Sequence, residues 1–381
     1  MSASLYDRAA IIPGRSLTRS KAPDRLLRAW ASSGNGAYVY DTDQRPLLDM
    51  VCGLGAISLG YQATREHTDY WAHGVYSLPH EAEIDAAEAV LRHVAPWASA
   101  VRFVKTGSEA THAAYRMAKK ATGRPLTLKG DWAYHGRHEW TDEHALEFPH
   151  GADLSRLYSE FDQRRIAAVF VEPHRWQPVD VEWLKAVRAF CDRSGALLVF
   201  DEMIYGGRWA LGGASEYYGV QPDLACYGKA FGNGQAVAFV AGREALAEHG
   251  EIVSGTYSGD VTGLTAVLDT LQVYTSEPVI ETLWARGKQL QDGLRQVIPA
   301  SLGTVEGAPV HPRIRFADPA VNQPYDYRPS VERPLAHRFK EAMAQRGVLC
   351  TVDWFLVMYA HTEQQINQVI EAAEQSVKEL R

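Results

Sequence analysis

The stretch DLACYGKAFGNG, residues 223–234, decides how this chain is read. Leu224 to Tyr227 is a short apolar run of the kind that forms a buried strand, and it breaks into a glycine-rich turn carrying Lys229. A charged amine at the end of a buried strand is costly unless something uses it. Upstream, LLVFDE (residues 197–202) is a second apolar run, ending in Asp201 and Glu202. A lysine and an aspartate at the ends of neighbouring strands meet two needs of pyridoxal 5'-phosphate (PLP). The amine forms a Schiff base with the aldehyde, and the carboxylate keeps the ring nitrogen protonated so that the ring takes up electrons. Each residue also has a plainer reading: Asp201 as a turn or helix-capping residue, Lys229 as a snorkelling surface lysine.

Outward from this pair, β-type apolar runs alternate with helical patterns between about residues 85 and 275. The runs are Val101–Val104, Ala167–Val171, Leu197–Phe200, Leu224–Tyr227 and Ala236–Ala241. Such alternation predicts an α/β fold with a mostly parallel central sheet covered on both faces. Before it, Ala37–Asp43 and Pro46–Met50 read as a hairpin, and the first forty residues as an arm. After Gly259 come a long helical stretch, candidate strands at Thr304–Phe316 and Val348–Tyr359, and a closing helix from Glu363 to Leu380. Pro319–Pro334 reads as an irregular loop. The expected division is an N-terminal arm with part of a small domain (1–60), a large domain (61–260) and a small α+β domain (261–381).

Composition narrows the function classes. The 381 residues are 46% hydrophobic and 22% charged, ordinary for a globular protein, and the net charge of -7 is dispersed, with no basic stripe for nucleic acid or an anionic membrane. Cys52, Cys191, Cys226 and Cys350 lie far apart without a CxxC pair, which argues against zinc and against a disulfide scaffold. Met1–Ile12 has no apolar signal region and no stretch is long enough to span a bilayer, so the expectation is a cytoplasmic protein. His135, His138 and Glu139 do not match a zinc-protease spacing, and no metal site is expected. Gly232-Asn233-Gly234 is too short for a dinucleotide fingerprint.

A bound phosphate calls for backbone N–H groups and a helix N-terminus. Thr106-Gly107-Ser108 follows a strand and opens a helical pattern (Ala110, Ala113, Ala114, Met117, Ala118), with Ser108 able to cap and Gly107 letting the backbone come close. Strand–Gly–Ser–helix is also an everyday connection. Tyr134-His135-Gly136 offers an aromatic ring able to stack on a cofactor, and Gly255–Gly259 offers Thr256 to an anion. Taken singly these are a packed tyrosine and a polar turn. Their order along the chain is the stronger signal: phosphate loop, stacking aromatic, strand-end acid, lysine, second threonine.

In this order the chain resembles the class III aminotransferases of PLP fold type I, within them the glutamate-1-semialdehyde aminomutase-like group. The resemblance rests on VRFVKTGSEA (101–110), Tyr134-His135-Gly136, Val171-Glu172-Pro173, LLVFDEMIYGGR (197–208), LGGASEYYGVQPD (211–223), Gly228–Gly234, Ser254–Gly259 and Tyr359–Thr362, and runs from about Gly36 onward. It implies a fold type I architecture with Lys229 as the Schiff-base lysine and proton shuttle and Asp201 as partner of the pyridine nitrogen. Tyr134 would stack on one ring face and Met203 lie against the other, where the family usually has a small β-branched residue. Gly107 and Ser108 would hold the phosphate, and Thr256 would reach the phosphate in the neighbouring subunit, so that a homodimer shares its active sites.

Departures from the family pattern matter. Lys105 replaces a small polar residue before the phosphate loop, and the reading favours its pointing to solvent. Asp260 stands where the aminomutases carry asparagine. Arg137 to Val169 is shorter than in glutamate-1-semialdehyde aminomutase, which has a gating loop there. A shortened lid gives less means of keeping a released diamine in place. The reading is therefore a PLP-dependent aminotransferase moving an amino group from an amine or amino-acid donor to a carbonyl acceptor, with an open mouth suited to a larger substrate. A 2,1-aminomutase, a decarboxylase or racemase, and a retired PLP-fold binding module are the alternatives. Candidate substrate contacts are Ser77, Glu172 and Trp176, with Trp354 at the mouth. Arg8, Arg15, Arg19, Arg175 and Arg208 are imaginable carboxylate binders.

Overall fold

The computed structural model describes residues 4–13, 16–18, 30–63, 74–131, 133–141, 145–148, 154–159, 161–173, 179–316 and 334–380. The chain forms two compact units, one of Met1–Leu54, Leu59–Ala63 and Thr282–Arg381, the other of Gly55–Ser58 and Thr64–Glu281.

The smaller unit opens with an antiparallel meander of β1 (Ala31–Asn35), β2 (Tyr38–Asp41) and β3 (Pro46–Asp49). β1 falls within the stretch read as an arm. It is a strand because Asn35 pairs with Tyr38 across a two-residue turn whose Gly36 takes a φ of 54°, a conformation that glycine adopts freely. The next turn is held by Asp41, whose Oδ1 accepts from the N–H groups of Asp43 and Arg45 at 2.9 Å each.

The larger unit is built on a seven-stranded sheet of β4 (Ala100–Val104), β5 (Leu126–Gly130), β6 (Ala145–Phe148), β7 (Ile166–Val171), β8 (Leu197–Asp201), β9 (Leu224–Tyr227) and β10 (Ala238–Gly242), in the order β4-β10-β9-β8-β7-β5-β6. β10 runs antiparallel to both its neighbours, and the remaining pairs are parallel. The period-2 pleat divides each central strand between two cores. Val169, Leu198, Phe200, Ala225, Tyr227 and Phe239 face one, with Trp183, Val187 and Phe190 of the helix Val181–Ser194. Phe170, Val199, Cys226 and Val240 face the other, with Ala110, Ala114 and Met117 of the helix Gly107–Thr122. Burial on both faces explains why these strands read as continuous apolar runs. Val261–Ser276 contributes Val261, Leu264, Val267 and Leu271 to the first core, so this helix lies in the larger unit, beyond the division expected at residue 260.

The smaller unit resumes at Thr282, within the helix Val279–Val297, and continues with the hairpin of β11 (Gly303–Glu306) and β12 (Arg313–Phe316), then β13 (Val348–Leu349), which pairs parallel with β3. The strand expected over Val348–Tyr359 stops after two residues. Thr351 Oγ1 accepts the Trp354 N–H at 2.9 Å and Asp353 forms a buried 2.8 Å ion pair with Arg313, and both bend the chain out of register. Glu363–Leu380 is helical as expected. Residues 317–333, nearly all of the predicted proline-rich loop, lie outside the described residues.

Candidate active site

Because only β10 is reversed, the carboxyl ends of the other strands lie along one edge of the sheet. Ligands in open α/β sheets bind at that edge. Thr106-Gly107-Ser108 follows β4, Tyr134 follows β5, Glu172 follows β7, Asp201 ends β8, and Lys229 lies just past β9. The phosphate loop, aromatic, strand-end acid and lysine of the sequence thus share one edge of the sheet, whereas the second threonine does not follow one of these strands.

Lys229 opens a single 3-10 turn, Lys229–Gly232, and both Lys229 (φ 46°) and the capping Asn233 (φ 38°) are left-handed. That conformation costs a non-glycine residue on the order of 1–3 kcal/mol and persists only where the surroundings impose it. Here Ser58 does so: its N–H donates to Asn233 Oδ1 at 3.0 Å and its Oγ donates to the Ala230 carbonyl at 3.0 Å. Loss of water around the Lys229 amine lowers its pKa below the ordinary lysine value; the charges of Asp201 and Glu172 oppose the shift and that of Arg208 reinforces it. Lys229 is half-buried, and the desolvation of its amine does not fit a surface snorkel.

Asp201 is buried and fixed on both oxygens. Oδ2 lies 2.9 Å from His135 Nδ1, and Oδ1 accepts the Met203 N–H at 3.1 Å. A carboxylate only accepts, so an ionised Asp201 requires the proton on Nδ1. His135 is itself buried against Phe170 and Trp140, with ring centroids 5.6 and 6.4 Å away, and its carbonyl accepts from Thr111 Oγ1 at 2.6 Å. This partner was missed by the sequence reading, which weighed His135 only as a metal ligand. Its place beside Tyr134 was the available clue. Next in the chain, Glu202 is fully buried; burial pushes its carboxyl up to about 8, although it accepts from the N–H groups of Ala214 and Ser215 at 2.9 Å each. Glu202 serves the start of the next short helix and not the Lys229 side.

The helix Gly107–Thr122 begins with a capping box in which Thr106 and Glu109 satisfy each other's backbone N–H groups. The N–H groups of Gly107 and Ser108 are left to its first turn, where an anion would be favoured. Met203 packs beside it: a Cβ on Gly107 would stand 2.7 Å from Met203 Sδ, and one on Gly228 would stand 3.0 Å from the same atom. Met203 therefore lies between the helix start and the Lys229 turn. Tyr134 is 60% exposed, and its N–H donates to Glu172 Oε2 at 3.1 Å, so Glu172 ties the Tyr134 segment to the end of β7.

Other candidates lie elsewhere. Ser77 and Thr256 share a cavity of about 350 Å³ with Tyr76, His80 and Gly259 that neither Lys229 nor Asp201 lines. Lys105, expected to face solvent, instead meets Asp260 with Nζ 2.7 Å from Oδ2. Arg208 is buried and donates to the Ile57 carbonyl at 3.0 Å, which removes it from the exposed arginines. Arg8 is exposed at the end of a four-residue helix. Trp354 pairs with Arg313 and lies edge-on to His311. Trp176, Arg15, Arg19 and Arg175 lie outside the described residues.

These residues fit PLP. A desolvated amine, a buried carboxylate held from behind by a histidine, and a helix start lined by glycine suit its aldehyde, ring nitrogen and phosphate in turn. Comparison with known proteins agrees. The model of the family described as "Aminotransferase class-III" matches residues 20–141 and 150–377. A glutamate-1-semialdehyde 2,1-aminomutase of Thermomicrobium roseum is 32% identical over 437 aligned positions, covering 100% of this chain and 98% of that protein. Among solved structures, the PLP internal aldimine form of the Sphingopyxis sp. MTA144 FumI protein superposes with a TM-score of 0.87 at 26% identity, covering 98% of this chain and 95% of that one. An omega-transaminase from Sphaerobacter thermophilus, at 23% identity and a TM-score of 0.87 over 99% of this chain and 97% of that one, shares the fold. The chain belongs to the class III aminotransferases and is a PLP-dependent aminotransferase of fold type I.

Proposed function

We propose that this enzyme carries out net transamination between an amine or amino-acid donor and a separate carbonyl acceptor, with Lys229 and Asp201 as its catalytic residues. The cofactor, when bound, supplies an aldehyde carbon and a ring that draws electrons from the donor carbon. Lys229 would hold it through its amine and, as a neutral base, would move the proton at the donor carbon. Its depressed pKa supports this role, since a neutral amine is both nucleophile and base. Asp201, restrained by His135, would pair with the ring nitrogen and favour its protonated form. Gly107 and Ser108 would hold the phosphate, and Tyr134 and Met203 would lie against the ring. Glu172 acts by placing Tyr134.

Thr256 serves the phosphate in the neighbouring subunit of a homodimer, and Ser77 lies with it in the groove offered to that neighbour. The separation of that groove from Lys229 supports a shared site. Among the described residues no helix is long and apolar enough to cross a membrane, and the proposed setting is the cytoplasm. The observation that carries the reading is the adjacency of β8 and β9, which end in Asp201 and lead to Lys229.

A second reading, the 2,1-aminomutase, is favoured by the 32% identity to the Thermomicrobium roseum protein. Against it stands length: the alignment takes 437 positions to accommodate 381 residues, so that relative carries segments absent here. The shorter Arg137–Val169 segment that the family resemblance implies would favour release of the half-reaction product over its retention.

The test is the visible absorption of the purified protein during titration with single amine donors. A yellow band that bleaches with one donor, and returns only when a carbonyl compound is added, is the expected result. Return of the band without an acceptor, on a glutamate-1-semialdehyde-like compound alone, would establish the aminomutase. No band after addition of PLP would overturn the reading.

A further inference from the structure

We infer that Lys105 and Asp260 form a positioning pair that fixes the Thr256 loop to the start of the phosphate-facing helix, and through it governs how tightly the cofactor is held. The inference rests on the roles proposed above for Gly107, Ser108 and Thr256. The two positions are those at which the sequence departs from the family pattern beside its two phosphate segments, and in the structure they meet. Lys105 Nζ lies 2.7 Å from Asp260 Oδ2, with the side chains only 22% and 16% exposed.

Each end of the pair is anchored to a helix start. The N–H groups of Lys105 and Thr106 both donate to Glu109 Oε2, at 3.0 and 2.8 Å, which locks the backbone of Lys105 to the first turn of Gly107–Thr122. Asp260 caps the helix Val261–Ser276, and the Oδ2 that meets Lys105 also accepts the Gly263 N–H at 3.0 Å. A Cβ at residue 263 would stand 2.8 Å from Lys105 Nζ, so Gly263 leaves room for the ammonium. Immediately before Asp260 come two successive turns, closed by Ser258 N–H to the Gly255 carbonyl at 3.0 Å and Asp260 N–H to the Tyr257 carbonyl at 3.1 Å. Thr256 is exposed within the first of them.

The charges explain why neither departure stands alone. A lone carboxylate at residue 260 would repel the phosphate that Thr256 is to meet, and a half-buried lysine without a counter-ion would be poorly solvated. Together they neutralise each other and join two segments that sequence separates. Removing one partner leaves the other charge uncompensated, whereas removing both does not. The pair's signature is therefore non-additivity.

The test uses the full-length holoenzyme as wild type, K105M, D260N and the K105M/D260N double variant. It follows the rate at which the visible cofactor band is lost on dialysis, together with the visible circular dichroism of the bound cofactor. Each single variant is expected to lose cofactor about tenfold faster and to show altered circular dichroism, while the double variant is no faster than the faster single. Single effects that multiply in the double variant, or rates and dichroism unchanged in both singles, would overturn the pair. A lowered melting temperature of the cofactor-free protein with unchanged cofactor loss would overturn it too, reducing it to a structural contact. A wild type that never takes up the cofactor would overturn the functional reading and this inference with it. A wild type that binds, with singles that behave like it, would overturn the pair alone.

Discussion

The turn that carries Lys229 and the loop that carries Thr256 are built on opposite principles. The first is buried, adopts two left-handed non-glycine conformations and is held by Ser58 through main-chain and side-chain bonds. The second is largely exposed, closed by ordinary turns, and joined to the phosphate helix by an ion pair between side chains. Chemistry that moves a proton needs an amine whose position and solvation are imposed by the core. The role proposed for Thr256, toward a neighbouring subunit, calls instead for a segment that stays accessible. The difference teaches that strain and burial are concentrated where atoms react, and adjustable contacts where partners meet.

The comparison is broken most severely at Lys229. Lys229→Ala is expected to abolish the lysine-linked visible band and to lower turnover by at least about 1,000-fold, checked by spectroscopy and steady-state assay on the same preparation. Activity near wild type would remove the lysine from the mechanism. Next comes the Asp201–His135 couple. Asp201→Asn should cost on the order of 100- to 1,000-fold in kcat, because an amide cannot keep the ring nitrogen charged. His135→Phe, which removes only the donor behind the carboxylate, should cost about 10- to 100-fold, the range for one hydrogen bond to a charged group. Equal losses in the two variants would mean that the histidine does more than hold the aspartate. The smallest effect is on stability. Lys229→Gly should melt above Lys229→Ala, the two differing by about 1 kcal/mol, because glycine accepts the φ of 46° that alanine does not. Equal melting temperatures would mean that the turn relaxes once its side chain is gone.

Much of this was legible in the sequence, for identifiable reasons. The central strands were found because a sheet buried on both faces writes itself as continuous apolar runs, and Leu224–Tyr227 is bounded as read. β5 and β6 were not singled out: Leu126–Gly130 carries Thr127 and Lys129, and Ala145–Phe148 carries Glu147, so neither is a clean apolar run. The reversal of β10 was invisible as well, since strand direction is set by pairing and leaves no trace in composition. In the site, Lys229 and Asp201 stood out as charges ending apolar runs, whereas His135 and the Lys105–Asp260 contact depend on which distant segments meet. A histidine in a YHG loop and a lysine before a helix read as surface residues until the fold brings Asp201 and Asp260 to them.

The reversed strand has a consequence for the order in which the molecule is completed. β4 occupies an edge of the large sheet, and its ladder is formed with β10, Val104 opposite Ala238 and Ala100 opposite Gly242. During synthesis from the N-terminus, the strand that presents the phosphate-facing helix has no sheet neighbour until the chain has passed both Asp201 and Lys229. Closing so long a loop is entropically expensive and slow. A nascent chain that ends before Ala238 holds Lys229 and Asp201 but lacks the strand that pairs with β4, so the seat proposed for the phosphate is completed only after both residues have been made.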